Sequence, residues 1–138
     1  AVADYRPARA AAQKIKRGAG PMSVALEPNP DILAGLARRR RPGQVFVGFA
    51  LETTAGLAHA RAKLAAKGLD LIVLNSARDG IGGDTNRVTL VEAARRGGAA
   101  KPRALPVMPK REVAEHVLER ALALRARRPA KARARKAR

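Results

Sequence analysis

Two short, nearly unbroken apolar runs, QVFVGFA at 44–50 and DLIVLN at 70–75, constrain this chain most. Each has the length of a strand covered on both faces, and neither approaches the roughly 20 residues of a membrane helix. Between them, Thr53 or Thr54 can cap a helix carrying Leu57, Ala60, Leu64 and Lys67, which Gly68 then stops. Strand, helix and strand in that order give the βαβ alternation of a mainly parallel sheet flanked by helices.

The flanking segments extend this pattern. Residues 1–4 read as the end of a buried strand, and 5–21, with Pro7, Gly18, Gly20 and Pro21 around a basic cluster, as a mobile loop. MSVALE at 22–27 alternates as a strand does. A helix is predicted from Asn29-Pro30-Asp31 to about Arg40, with Asn29 as N-cap and Pro30 in the first turn. QVFVGFA is placed at the centre of the sheet. After a Gly-rich loop at 76–86, a strand is predicted around 87–92, a loose basic hairpin at 93–103 and a short edge strand in RALPVM. Apolar positions 113, 117, 118, 121 and 124 mark a helix over 110–127.

There is no cysteine, which excludes disulfides, thiolate zinc sites and cysteine nucleophiles. Neither a membrane span nor a signal peptide is legible, so a cytoplasmic setting is expected. The chain opens inside an apolar run, AVAD, and reads as a piece of a longer frame. Its net charge is +18, but residues 125–138 carry eight basic side chains and no acid, leaving +10 on 1–124. The division expected is therefore an ordered unit at 1–124 and a disordered basic tail at 125–138. The remaining excess suits an anionic partner such as a nucleoside triphosphate.

In open α/β sheets ligands sit beyond the carboxyl ends of the strands, where several of the charged residues are expected to fall. Asp4, at a strand end, can hold Mg²⁺ against phosphate oxygens or simply cap a turn. Lys14, Lys16 and Arg17 can close over a phosphate or remain a solvated basic loop. Asn29, Pro30, Asp31 and Ile32 can open a helix or also line a ligand. Phe49 can stack on a flat base or pack in the core. Lys63 and Lys67, four apart on one helix face, can grip a polyphosphate together or stay solvated. His59 and His116 lack partners at metal-ligand spacing, and GIGGD at 80–84 is too short for a dinucleotide fingerprint.

The order of these segments is more specific than any one of them. AVADYRP (1–7), KIKR (14–17), NPDIL (29–33), VGFALET (47–53), ARAKLAAKGLDLIVLN (60–75) and GGDTNRVTL (82–90) follow one another as in bacterial phosphopantothenate–cysteine ligases. The chain resembles the C-terminal portion of that family over about residues 1–120. In bacteria such ligases usually form the second half of a bifunctional flavoprotein. The resemblance implies a Rossmann-like α/β fold, incomplete at its N-terminus, and a CTP-dependent ligation of 4′-phosphopantothenate with cysteine through an acyl-cytidylate. It implies Mg²⁺ and a homodimer, with FMN confined to an upstream decarboxylase half absent here.

The resemblance also assigns roles. Asp4 matches the acid beside triphosphate and metal, and Lys14 the flap lysine of acyl-cytidylate formation. Asn29 to Ile32 match the segment lining the base, Phe49 the aromatic at the nucleotide, and Lys63 and Lys67 two phosphate contacts. KIKR stands where KIKK is frequent and GFALET where GFAAET is commoner, and the loop at 79–84 lacks the Phe often found there. The glycine-rich first strand-turn-helix of the family lies upstream of AVADYRP, so little activity is expected from this piece alone. Two other readings stand beside this one: a non-catalytic nucleotide-binding module, and a basic nucleic-acid-binding protein. Few aromatics are available for base stacking, so no specific nucleic acid and no membrane partner are expected.

Overall fold

The structure, a computed structural model, describes residues 2–52, 55–76, 82–94, 98 and 100–127. Along the chain come β1 (Tyr5–Pro7), β2 (Leu26–Pro28), α1 (Ile32–Arg38), β3 (Val47–Glu52), α2 (Gly56–Ala66) and β4 (Leu71–Ser76). They are followed by β5 (Thr85–Asn86), β6 (Val88–Glu92), β7 (Arg103–Ala104), β8 (Met108–Pro109) and α3 (Lys110–Ala126).

The central sheet has the order β3-β4-β6-β7. The two apolar runs pair in parallel, from Val47 opposite Leu71 to Glu52 opposite Ser76, and α2 makes the crossover between them. The class is α/β as expected, but the parallel share is confined to this pair. β6 runs antiparallel to β4, and β7 antiparallel to β6. Residues 77–87 are too short a link for the crossover of a dozen or more residues that a further parallel strand needs. β3, expected at the centre, is the edge among the described strands.

The sheet divides two apolar layers. On one face Ala50, Ile72 and Val91 pack with Ala60 and Leu64 of α2 and with Leu69, and Leu33 of α1 lies against them. On the other, Leu71, Val73, Val88 and Leu90 pack with Leu105 and with Val113, Val117 and Leu124 of α3. β4 is covered on both faces, which is why its sequence is a continuous apolar run: Leu71, Ile72 and Val73 are all essentially inaccessible. Small side chains let the α2 layer come close to β3. A Cβ added at Gly48 would stand 2.6 Å from Leu69 Cδ1. α2 stops where expected, with Gly68 in the left-handed region at φ +63°. Thr53 and Thr54, the expected caps, lie outside the described residues, and Ala55 occupies the N-cap position.

Several local expectations are corrected. Residues 2–4 are exposed and lie outside any strand. Only the end of MSVALE is a strand: β2 pairs with β1 in a separate antiparallel ribbon, Tyr5 opposite Pro28 and Pro7 opposite Leu26. Met22 and Val24 remain exposed, so the alternation there does not report a buried face. Asp31, and not Asn29, caps α1, accepting the Ala34 N–H at 2.9 Å. Asn29 is held back by the ribbon, its N–H donating to the Asp4 carbonyl at 2.8 Å and its side-chain amide to the Ala3 carbonyl at 2.7 Å. α1 ends at Arg38, short of Arg40, whose guanidinium turns to the Gly68 carbonyl and to Asp70.

The pairing of β5 with β8 has no counterpart in the expectations, whereas β7 is the edge strand read in RALPVM. Of the α3 stripe, 113, 117 and 124 are buried, but Leu118 points outward and is 63% exposed. It follows Val117 by about 100° of helical rotation, enough to leave the sheet-facing stripe. α3 runs to Ala126, two residues into the segment assigned to the tail, and 128–138 lie outside the described residues. Much of the Gly-rich loop (77–81) and of the basic hairpin (95–97 and 99) lies outside them too.

Candidate functional site

Six of the residues singled out in the sequence meet at one place. Asp4, Asn29, Pro30, Asp31, Ile32 and Lys67 line an open groove of about 440 Å³. The β1–β2 ribbon brings Asp4 and Asn29 side by side, and the turn into α1 presents Asp31 and Ile32. Lys67 enters from the C-cap of α2, placing its Nζ 3.0 Å from Asp31 Oδ2. Residues separated by more than sixty positions thus form a surface of two carboxylates, one amide, one ammonium and the half-exposed Ile32.

The other candidates stand apart from it. Lys63 lies one turn back along α2, and its Nζ donates to Glu52 Oε1 at 2.6 Å. Nδ1 of His59 is 3.1 Å from Glu52 Oε2, so the carboxylate is held between two bases of the same helix face. Lys14, with Lys16 and Arg17, sits on the exposed, irregular arm between β1 and β2, which is rooted beside the groove by the Ala8 N–H donating to the Ala25 carbonyl at 2.9 Å. Phe49 is 71% exposed on β3. Its neighbours Gly48 and Ala50 face α2, so strand alternation sends its ring to the opposite side of the sheet from the groove. The structure does not bring Phe49 to Asp4 and Lys67.

The placement relative to the sheet also differs from expectation. Glu52 and the Lys63 ammonium lie at the carboxyl end of β3, but the groove lies at the C-terminal end of α2, where Lys67 lines it. Glu52 was not a candidate. The signal was available, since an acid closing a buried strand is the pattern that singled out Asp4.

Both paired carboxyls are held below the ordinary carboxylate range. For Asp31 the Ala34 N–H is the larger cause and Lys67 the next; for Glu52 it is the Lys63 ammonium, then His59. Depressed groups of this kind stabilise the fold above the unfolded-state pKa, and that contribution disappears as pH falls through the lower folded value. Exposure keeps it small. Carboxyl-detected NMR titration should give midpoints for Asp31 and Glu52 below those of the free side chains. In Lys67→Met, Asp31 should stay partly depressed because the Ala34 hydrogen bond survives. Midpoints at or above the ordinary values would contradict the pairing geometry.

Among the described residues, no cluster of three or more His, Asp or Glu side chains could hold a metal ion by itself. The groove offers Asp4 and Asp31 instead. Magnesium ordinarily takes only one or two carboxylates and completes its shell with water and phosphate oxygens. Asp31 already serves the α1 cap and Lys67, which leaves Asp4 as the carboxylate that fits this role. No helix among the described residues is long and apolar enough to cross a membrane.

Residues 1–124 match the family model described as the C-terminal domain of DNA/pantothenate metabolism flavoproteins. The chain belongs to this family. The chain is 39% identical over 127 residues to the Coenzyme A biosynthesis bifunctional protein CoaBC of Bacillus subtilis, covering 90% of the chain and 30% of that protein. It is 52% identical over 86 residues to the protein of the same name from Mycolicibacterium smegmatis, covering 55% of the chain and 21% of that protein. A relative from an unknown prokaryotic organism, named Cysteine/Cysteine sulfinic acid decarboxylase, is 46% identical over 95 residues, covering 67% and 26%. The crystal structure of the C-terminal domain of CoaBC superposes with a TM-score of 0.64 at 31% identity, covering 91% of this chain and 52% of that one. The chain therefore spans less than a third of these curated relatives and about half of that solved domain.

Proposed function

We propose that this domain supplies the nucleotide-handling half of a phosphopantothenate–cysteine ligase acting in coenzyme A synthesis in the cytoplasm. The observation that carries the reading is the convergence of Asp4, Asn29–Ile32 and Lys67 on one groove in a chain of this family. Two of its relatives are named for coenzyme A biosynthesis, and a solved domain that it superposes on belongs to a protein of the same name.

The reaction would consume CTP, 4′-phosphopantothenate and cysteine. The phosphopantothenate carboxylate attacks the α-phosphorus, and the bond to the β-phosphate oxygen breaks to release pyrophosphate. The cysteine amine then attacks the acyl carbon, expels CMP and loses a proton as the amide forms. The first step drives an anion against a polyanion, so cations must offset the repulsion as charge builds up. Lys67 and Lys63, four residues apart on α2, would take phosphate oxygens, and Asn29 to Ile32 would border the nucleoside. Lys14 would descend from the arm hinged at the β1–β2 ribbon. Magnesium bound with the triphosphate, with Asp4 as its protein carboxylate, would neutralise phosphate charge. FMN has no part in this half, and Phe49 has none at this groove. A homodimer of complete domains, expected from the resemblance, belongs to the same proposal.

Turnover is expected to need the remainder of the domain, of which this chain spans about half. The test is pyrophosphate release by the chain joined to the rest of that domain, dependent on CTP, phosphopantothenate and cysteine together. Release that requires all three supports the ligase. CTP binding without release would leave a non-catalytic nucleotide-binding module.

A further inference from the structure

Both Lys63 and Lys67 are engaged by carboxylates. Lys63 donates to Glu52 at 2.6 Å, and Lys67 lies 3.0 Å from Asp31. The two carboxylates come from different elements, one closing β3 and the other capping α1. Their lysine partners are partly exposed, at 47% and 37%, so the pairs sit where an incoming anion can reach them.

We propose that Glu52 and Asp31 act as built-in placeholder anions, fixing Lys63 and Lys67 while occupying the positions beside them that phosphate oxygens of a polyphosphate take on binding. This rests on the reading above that the α2 lysines meet a triphosphate, and adds a selection rule to it. A long lysine stem otherwise samples many rotamers, and the carboxylate fixes it beforehand. Pairs whose ammonium is this exposed are weak enough to be exchanged, although the Glu52 side chain itself is only 15% exposed. A single small anion gains one lysine and must break one pair. A polyphosphate spans both lysines at once, so its second contact forms intramolecularly, at high effective concentration. The site thereby favours polyphosphates over orthophosphate and carboxylates.

Glu52 is the partner to test, because Asp31 also caps α1. Glu52→Gln keeps the shape and an oxygen acceptor but removes the charge that competes for Lys63. Calorimetric titration of the 138-residue chain with inorganic tripolyphosphate, at 0.15 M salt, should show binding about two- to fivefold tighter in Glu52→Gln, the scale of one exposed ion pair. Lys63→Met should bind more weakly than wild type. Adding Glu52→Gln to Lys63→Met should restore little, because the proposed competition is for that lysine and His59 is the other partner of the carboxylate. Binding equal to or weaker than wild type in Glu52→Gln, with circular dichroism unchanged, would overturn the proposal. So would a gain that persists without Lys63, which would reduce Glu52 to a general repulsive charge. If the wild-type chain does not bind tripolyphosphate at all, the triphosphate reading itself fails.

Discussion

Under the proposed function, Lys14→Gln is expected to cut ligase turnover by about a hundredfold or more, the scale of losing one preorganised donor to developing charge. The melting temperature should not change. The physical basis is where this lysine sits: on an exposed arm with no core contact, between two strands that flank the groove. Glutamine keeps length and polarity but cannot offset charge on a phosphate in the transition state. The KM for CTP should change far less than kcat, because Lys63 and Lys67 would hold the ground-state triphosphate. A Lys14→Gln enzyme with normal kcat, or one whose loss lies wholly in KM, would remove the arm from the chemistry.

Asp70→Ala is expected to destabilise the fold by about 3 kcal/mol, the lower end for breaking a buried ion pair. Asp70 is 5% exposed just before β4 and accepts the Phe46 N–H at 2.8 Å. The same oxygen, Oδ2, also lies 3.0 Å from the Arg40 guanidinium, which stands over the Phe46 ring at 4.7 Å. Alanine would orphan the Phe46 N–H and strand a guanidinium whose Nε already lacks a hydrogen-bond partner. Asp70→Asn, which keeps an acceptor, should cost less. Urea unfolding that places Asp70→Ala within 1 kcal/mol of wild type would mean the pair is more solvated than its geometry shows.

The parts of the fold legible in the sequence are those fixed by local pattern and continuous burial. β3, α2, β4, β6 and α3 were readable because QVFVGFA and DLIVLN are apolar throughout, Gly68 stops α2 and Val113, Val117 and Leu124 share a helical stripe. Strand order was not, because nothing in the residues of β6 says whether it runs with or against β4. That follows from the short link before it. The ribbon of β1 and β2 escaped because its side chains are exposed, and burial is what writes a pattern into sequence. The site was half legible. Asp4, Asn29 to Ile32 and Lys67 were found as separate signals, and the ribbon and the α2 terminus bring them together. Phe49 lies away from the groove because a one-residue alternation, set by Gly48 and Ala50 facing α2, decides its side. Glu52 could have been picked out as an acid closing a buried strand, but its pairing with Lys63 and His59 comes only with the crossover.

Backbone amide shifts of the 138-residue chain, followed by NMR during titration with CTP and magnesium, address the shared groove most directly. The expected changes concentrate at Asp4, Asn29, Asp31, Ile32, Lys63 and Lys67, with the arm around Lys14 responding and the outer face of α3 silent. Changes restricted to the basic residues beyond Leu124, or spread evenly over the surface and abolished by moderate salt, would contradict a triphosphate site in the groove.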